Sequence, residues 1–178
     1  FGAALFVADL LGISVVRETG PLFTAIIVAG RSGSSITAQL ATMKVTQELD
    51  ALRVMALDPI RYVIVPMLLG MMLTVPVLTA FSILIGIAGG TAVATLSNDL
   101  SVVSFLSRLA DVVGWTDLFV GISKSLFFGL GIVFTASYFG LTADGGSEGV
   151  GTATTRSVVV SIFVVIALNA LFSLLYLI

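Results

Sequence analysis

Three charged side chains lie inside or beside long apolar runs of this chain: Arg17, Glu18 and Lys124. A charge in the middle of a bilayer costs at least about 2.5–3.5 kcal/mol, so such side chains usually face protein or a wet cavity. For Arg17 and Glu18 we expect a role in a cavity or between subunits. For Lys124, about 10 Å into its predicted helix, either of two roles is compatible with the sequence: reaching the membrane surface or pairing inside the protein.

A second group of charged residues lies between two apolar runs, in the stretch VTQELDALRVMA. Its apolar residues recur with helical spacing, which predicts an amphipathic helix over about Val45 to Ala56. They are Val45, Leu49, Leu52 and Ala56. The following Asp58 and Pro59 suit the N-cap and the first position of the next helix.

Two ion pairs are predicted along this amphipathic helix, Lys44 with Glu48 and Asp50 with Arg53. The helix has two interpretations: it docks a partner, or it only connects two membrane spans.

The residue types present exclude several kinds of chemistry. The chain has no His and no Cys, which removes thiolate metal sites, the usual near-neutral proton shuttle and any Ser–His pair. The string from Gly30 to Ser35 is similar to a phosphate-binding loop but lacks its Lys. We therefore expect a chain with no catalytic residues, cofactor or metal of its own.

Composition predicts an all-α integral membrane protein. Of the 178 residues, 58% are hydrophobic and only 10% are charged, against about 25% charged in soluble domains. The length suits one domain over residues 1–178, and the first residue, Phe1, leads us to expect an N-terminally incomplete fragment. The net charge of −2 and the lack of a basic block argue against nucleic acid as a partner.

Four apolar runs are long enough to cross a bilayer. The predicted spans are about Ala4 to Ala29 with an interruption at Pro21, Pro59 to Ala94, Asp117 to Phe139, and Ser157 to Leu177. Lys and Arg are concentrated in segment 31–61, which places it and segment 140–156 in the cytoplasm. Segment 95–116 is then on the outer side.

The outer segment contains a further amphipathic pattern over about Leu100 to Val113, with Asn98 or Asp99 as its expected N-cap. Its apolar face comprises Val102, Phe105, Leu106, Leu109, Val112 and Val113. The pattern fits a helix lying on the outer leaflet or a docking surface for an extracytoplasmic partner.

Small residues recur at every fourth position just before the amphipathic helix that starts at about Val45, which allows helix backbones to approach closely in lipid. They are Ala25, Ala29, Gly33, Thr37 and Ala41. This ribbon predicts close helix packing, within the chain or across a dimer.

The run from Arg17 to Pro66, RETGPLFTAIIVAGRSGSSITAQLATMKVTQELDALRVMALDPIRYVIVP, resembles the MlaE/YrbE family, the permeases of MCE-type lipid ABC transporters. Lys124-Ser125 and GVGTATTRSVV from Gly149 to Val159 are similar as well. The matching positions of the first run are Arg17, Glu18, Gly20, Pro21, Ala29, Gly30, Arg31, Gly33, Ser34, Glu48, Asp50, Ala51, Met55, Asp58, Pro59 and Pro66.

The resemblance implies a polytopic helical bundle that forms a homodimer, with five membrane helices and an interfacial helix in the full-length protein. Phospholipid would occupy a cavity at the dimer interface. The residues implied there are Arg17, Glu18, Thr19, Pro21 and Lys124. The short helix would be a coupling helix that docks on a cytoplasmic ATPase, through Lys44, Glu48, Leu49, Asp50, Leu52 and Arg53.

The partners implied by the resemblance are that ATPase, which would bind ATP and Mg²⁺, a periplasmic MCE-domain protein and a STAS-domain protein. The location implied is the inner membrane of a Gram-negative bacterium in preference to the chloroplast inner envelope. The chain departs from the family pattern at Thr19, where Leu is common, and at Asn169, where some members have an acid. Two other function classes remain: an ion-gradient transporter that uses Glu18 and Lys124 as a gating pair, and a membrane scaffold for a cytoplasmic protein.

Overall fold

The computed structural model describes residues 9–98 and 101–176. Within these ranges the chain is helical and contains no strand, which confirms the predicted all-α fold. Four of its helices are long and apolar enough to cross a bilayer, as predicted. Large apolar side chains such as Leu73, Ile85 and Phe163 are exposed on these helices, as expected where lipid is the solvent.

We number the helices of the described residues in chain order. Helix α1 is the span Asp9–Val45 and α2 is the short helix Glu48–Val54. Helix α3 begins with a π-helical turn at Ile60–Ile64 and continues as the α-helix Val65–Asn98. Helix α4 is Val102–Val112, α5 is Trp115–Thr142 and α6 is Gly146–Leu175.

Helix α1 differs from the predicted first span in where it ends and in its backbone at Pro21. The helix does not end at Ala29 but continues to Val45, and Pro21 does not interrupt it. A π-helical turn at Val15–Thr19 precedes the proline, with the Gly20 N–H donating to the Val15 carbonyl. This wider turn accommodates the residue that lacks an N–H. The predicted start at Ala4 lies outside the described residues.

The other spans agree with prediction more closely at their apolar parts than at their polar ends. Helix α6 begins at Gly146, not at Ser157, because the polar stretch before Ser157 is helical although it is not apolar. Gly145 and Gly146 have φ values of 94° and 68°, a left-handed turn that favours glycine. The predicted end of this span, Leu177, lies outside the described residues.

The chain forms two compact units, 9–24 with 76–98 and 101–125, and 25–75 with 126–176. In the first unit, α4 buries Phe105 and Leu109 against Ala94. Val102 and Leu106 are half exposed, so the buried face of α4 is narrower than predicted.

The N-cap of α4 is Ser101, whose hydroxyl accepts the Ser104 N–H at 3.4 Å. Neither of the predicted caps has this place, since Asn98 is the last residue of α3 and Asp99 lies outside the described residues.

In the second unit, the predicted small-residue ribbon of α1 is buried along its whole length. A matching buried ribbon follows α6 through Gly149, Ala153, Ser157, Ser161 and Val165. The Thr37 hydroxyl oxygen lies 2.7 Å from the Ser157 hydroxyl and 3.2 Å from the Ala136 carbonyl oxygen. Close packing is therefore confirmed within the chain, where a buried hydrogen bond joins the two ribbons.

We expect Gly140→Ala to destabilise the protein by about 1–3 kcal/mol, since overpacking a filled site has that cost. A Cβ at Gly140 would lie 2.6 Å from the Cβ of Leu40 and 3.1 Å from the Thr37 carbonyl oxygen. The matched control is Gly151→Ala, where a Cβ would meet nothing within 4 Å and should stabilise the helix by up to ~1 kcal/mol. Unfolding by SDS in mixed micelles, followed by circular dichroism, measures both; equal stability of the two variants would contradict the packing account.

Candidate functional site

The short helix α2 is bounded by two sharp turns. It contains seven residues, so the predicted bounds Val45 and Ala56 were too wide. Gln47 has φ 62° and Ala56 has φ 58°, and this left-handed conformation ends a right-handed helix on either side. As a result α2 is a separate rod between α1 and α3.

Leu49 attaches this rod to the membrane helices. Its side chain is 5% exposed and lines a small cavity of about 120 Å³ together with Leu40, Pro59, Ile64 and Leu141. Those neighbours belong to α1, to the start of α3 and to α5. Leu49 therefore faces inward, although the family resemblance implied that it is a docking residue; its docking role stays a prediction.

The opposite side of α2 is open. Val54 is 88% exposed and Met55 is 61% exposed, and Leu52 is half-buried. A groove of about 280 Å³ lies beside them, lined by Met43, Glu48, Ala51, Leu52, Met55, Tyr62 and Val63. The rod thus presents exposed apolar side chains next to a groove.

Lys44, near the end of α1 and just before α2, forms an ion pair with Asp144 in the same unit. Its ammonium lies 2.9 Å from the Asp144 carboxylate, so the predicted pair with Glu48 is wrong. The turn at Gln47 breaks the helix between Lys44 and Glu48, and the Glu48 carboxylate instead accepts the Thr46 hydroxyl at 3.0 Å. Asp144 is mostly exposed, so the Lys44–Asp144 pair contributes at most about 1 kcal/mol.

Two other local predictions for this region are confirmed. Arg53 donates to the Asp50 carboxylate at 2.8 Å, three residues apart on α2. The Asp58 carboxylate accepts the Ile60 N–H at 3.0 Å, as an N-cap before Pro59 does.

A pair of ionic contacts joins α1 to α5 in the first unit. The Lys124 ammonium lies 2.6 Å from the Glu18 carboxylate, and the Lys124 side chain is 1% exposed. The guanidinium of Arg17 lies 3.7 Å from the Asp117 carboxylate. Of the two interpretations of Lys124, pairing inside the protein is therefore the one observed.

The backbones come close where these pairs form. A Cβ at Gly121 would collide with the Val16 carbonyl oxygen and contact the ring of Pro21, which is buried. The Thr19 hydroxyl donates to the Ser14 carbonyl at 3.1 Å. The five residues predicted for a lipid cavity thus lie at or near the α1–α5 contact, and their contact with lipid stays a prediction.

A third ionic contact attaches α4 to the start of α1. Arg108 donates twice to the Asp9 carboxylate, at 2.8 Å each. The hydrogen bond from Arg108 to Asp9 and the charge of that carboxylate raise the pKa of Arg108 above its usual value. Asp9, Asp117 and Asp144 were missed as functional partners because each is far in sequence from the cation it pairs with.

Among the residues with described positions, no group of three or more Asp and Glu side chains is placed to hold a metal ion. The arrangement has instead an attached rod with one open side and two ionic contacts between membrane helices. Such an arrangement is suited to transmitting a movement between a partner and the membrane part.

Comparisons with known proteins give one consistent result. Residues 1–175 match the family model described as Permease MlaE. The chain is 38% identical to the intermembrane phospholipid transport system permease protein MlaE of Haemophilus influenzae, over 95% of this chain and 65% of that protein.

Two further relatives are described as probable ABC transporter permease proteins. The one from Synechocystis is 37% identical over 95% of this chain and 64% of its own length. The one from Rickettsia prowazekii is 35% identical over 99% of this chain and 68% of its own length. The chain thus spans about two thirds of the length of these curated relatives.

We expect Lys124→Met to destabilise the protein by about 1.5–3 kcal/mol, the range for losing a hydrogen bond to a charged group. The double variant Glu18→Gln with Lys124→Met should recover much of that loss, because no carboxylate is then left without its cation. Lys44→Met is the matched control and should change stability by less than about 1 kcal/mol. SDS unfolding compares them, and a Lys124→Met variant no less stable than Lys44→Met would contradict the pairing.

Proposed function

This chain belongs to the MlaE permease family, and on that premise we propose that it is the membrane permease subunit of an ATP-driven phospholipid transporter. The observation that carries the proposal is α2, a rod attached through Leu49 whose opposite side is open. A permease moved by another subunit needs such a rod. ATP and Mg²⁺ would bind to the separate ATPase subunit.

We assign the docking of the ATPase to the open side of α2. The charged residues Glu48 and Asp50 are exposed there, with Val54 as the most exposed apolar side chain. Arg53 is exposed as well, but it lines the Leu49 cavity and reaches this side only through its ion pair with Asp50. Protein interfaces typically have an apolar core surrounded by a polar rim, and this side of α2 has that pattern. Leu49 and Lys44 would act from the other side, by holding the rod in place.

The contacts of Leu49 provide a route for the movement. It lines one cavity together with Leu40 of α1, Ile64 of α3 and Leu141 of α5. A displacement of α2 by the ATPase would therefore press on three membrane helices together. Coupling of this kind requires packed, rigid elements that both sites influence.

The lipid would be handled by the membrane part. The relative from Haemophilus influenzae is named for intermembrane phospholipid transport, which supports phospholipid as the substrate class here. Arg17, Glu18, Thr19, Pro21 and Lys124 are the residues proposed for the cavity or the interface of a homodimer. The ion pairs of Arg17 and Lys124 would keep these charges neutralised at membrane depth.

The remaining partners and the location follow the family. We propose that an MCE-domain protein binds on the side of the membrane opposite α2 and that a STAS-domain protein binds the ATPase. The proposed location is a bacterial inner membrane, where α2 would be cytoplasmic.

The docking role of α2 leads to a specific expectation for Val54→Asp. A carboxylate placed in the centre of an apolar contact should reduce co-purification of the ATPase subunit at least tenfold, which corresponds to about 1.4 kcal/mol. Ser147→Asp is the matched control: it adds the same charge at another exposed position, at the start of α6. Membrane insertion of both variants should equal that of the parent, measured by extraction and size-exclusion chromatography.

Equal recovery of the ATPase with Val54→Asp and Ser147→Asp would contradict the docking role. Lipid transfer that continues without any ATPase, driven by an ion gradient, would support the gating-pair alternative instead.

A further inference from the structure

A cavity of about 380 Å³ lies between the end of α5 and the beginning of α6. Its volume is within the roughly 300–1,000 Å³ range of small-molecule sites. It is lined by Tyr138, Phe139, Thr142, Ala143, Asp144, Gly149, Thr152, Ala153 and Arg156. Neither α2 nor the α1–α5 ion pairs contribute a lining residue, and the cavity is linked to the α2 site only through Asp144, the partner of Lys44.

Arg156 is the cation of this cavity. Its side chain is exposed, and it makes no hydrogen bond or ion pair with any described residue. The carboxylate of Asp144 also lines the cavity, but the Lys44 ammonium lies 2.9 Å from it and neutralises it. The cavity therefore has a net positive charge of about one, supplied by a guanidinium whose donors are free for an anion.

The depth of Arg156 identifies the kind of anion. After Arg156, helix α6 has no charged residue up to Leu175. This uncharged run of α6 is about 28 Å long, close to the roughly 30 Å thickness of a bilayer's hydrocarbon core. When this run spans the core, Arg156 is at the edge of the core, at the level of the lipid phosphates.

The aromatic residues of the cavity agree with this depth. Tyr138 and Phe139 lie in the last turns of α5, with their rings in an edge-to-face contact of 5.4 Å between centroids. Tyr and other amphipathic aromatic side chains are typical of the membrane–water interface. The Thr142 and Thr152 hydroxyls donate to backbone carbonyls, which leaves Arg156 and the Tyr138 hydroxyl as donors for a ligand.

We propose that this cavity binds the headgroup phosphate of a phospholipid from the adjacent leaflet. Arg156 holds the phosphate, and the Tyr138 hydroxyl donates a further hydrogen bond to the headgroup. The acyl chains extend along the apolar, exposed surface of α6, where Val159 and Phe163 are exposed. Basic pockets between membrane helices are known to bind lipid headgroups in this way. The binding site does not depend on the transport activity proposed above.

Native mass spectrometry of the purified protein tests the site without ATP or any partner. Dioleoyl phosphatidylglycerol and dioleoylglycerol are titrated in detergent; they share acyl chains, and only the first has a phosphate. We expect Arg156→Ala to weaken phosphatidylglycerol binding about tenfold or more, the loss expected for a charge-assisted hydrogen bond, without affecting dioleoylglycerol. Arg156→Lys should recover part of the affinity and Tyr138→Phe should weaken binding a few-fold.

The matched control is Arg61→Ala, which removes another exposed arginine, one that starts a membrane helix but lines none of this cavity. Phosphatidylglycerol binding that falls equally in Arg61→Ala and Arg156→Ala would overturn the proposal. Displacement of the lipid by equimolar inorganic phosphate would assign the cavity to a free anion and overturn it as well. Unchanged lipid binding with loss of ATPase co-purification in Arg156→Ala would assign the cavity to a protein partner instead.

Discussion

Helix α2 has seven residues, and an isolated helix shorter than about 12–15 residues is marginal in water. The rod therefore depends on tertiary contacts, and the main one is the burial of Leu49, which faces a cavity lined by residues of α1, α3 and α5. That contact also determines what α2 can do. Because Leu49 faces inward, the side with Val54 faces outward, and under the proposed function a load on that side would be passed to the helices around the Leu49 cavity.

The attachment of α2 requires that those helices hold their positions. In lipid the hydrophobic effect does not drive helices together, so close van der Waals packing and hydrogen bonds must do so. The small-residue ribbons of α1 and α6 meet at Thr37 and Ser157, and Gly140 on α5 lies against Leu40. The same packing places the turn containing Asp144 where Lys44 reaches it, and it shapes the cavity around Arg156.

Local patterns were sufficient to predict much of this. Hydropathy identified the four spans, and the recurrence of small residues at every fourth position identified the buried ribbon. The Asp58-Pro59 dipeptide identified a helix start. What failed depended on backbone geometry or on distant partners. The π-helical turn before Pro21 and the left-handed Gln47 have no signature in residue type, so the predicted interruption at Pro21 and the predicted partner of Lys44 were wrong.

The site residues show the same division. Glu18 and Lys124 were recognised as charges that need partners in an apolar setting. They pair with each other although they are 106 residues apart in sequence. The ion-gradient alternative already placed these two together, because they are opposite charges in apolar runs. Nothing in a single sequence pairs Arg17 with Asp117. The sequence could not predict that Leu49 faces inward, because an amphipathic helix has an apolar face whether it packs on its own protein or on another.

We infer that α2 faces a cytoplasmic ATPase with its Val54 side, while the buried Leu49 holds the opposite side in place. A photo-crosslinking amino acid placed at Val54 in one sample and at Leu49 in another tests this directly, in membranes that contain the whole transporter. We expect crosslinks to a nucleotide-binding subunit from position 54 and only within the chain from position 49. Crosslinks from position 54 to lipid alone, or to the nucleotide-binding subunit from position 49, would contradict the account.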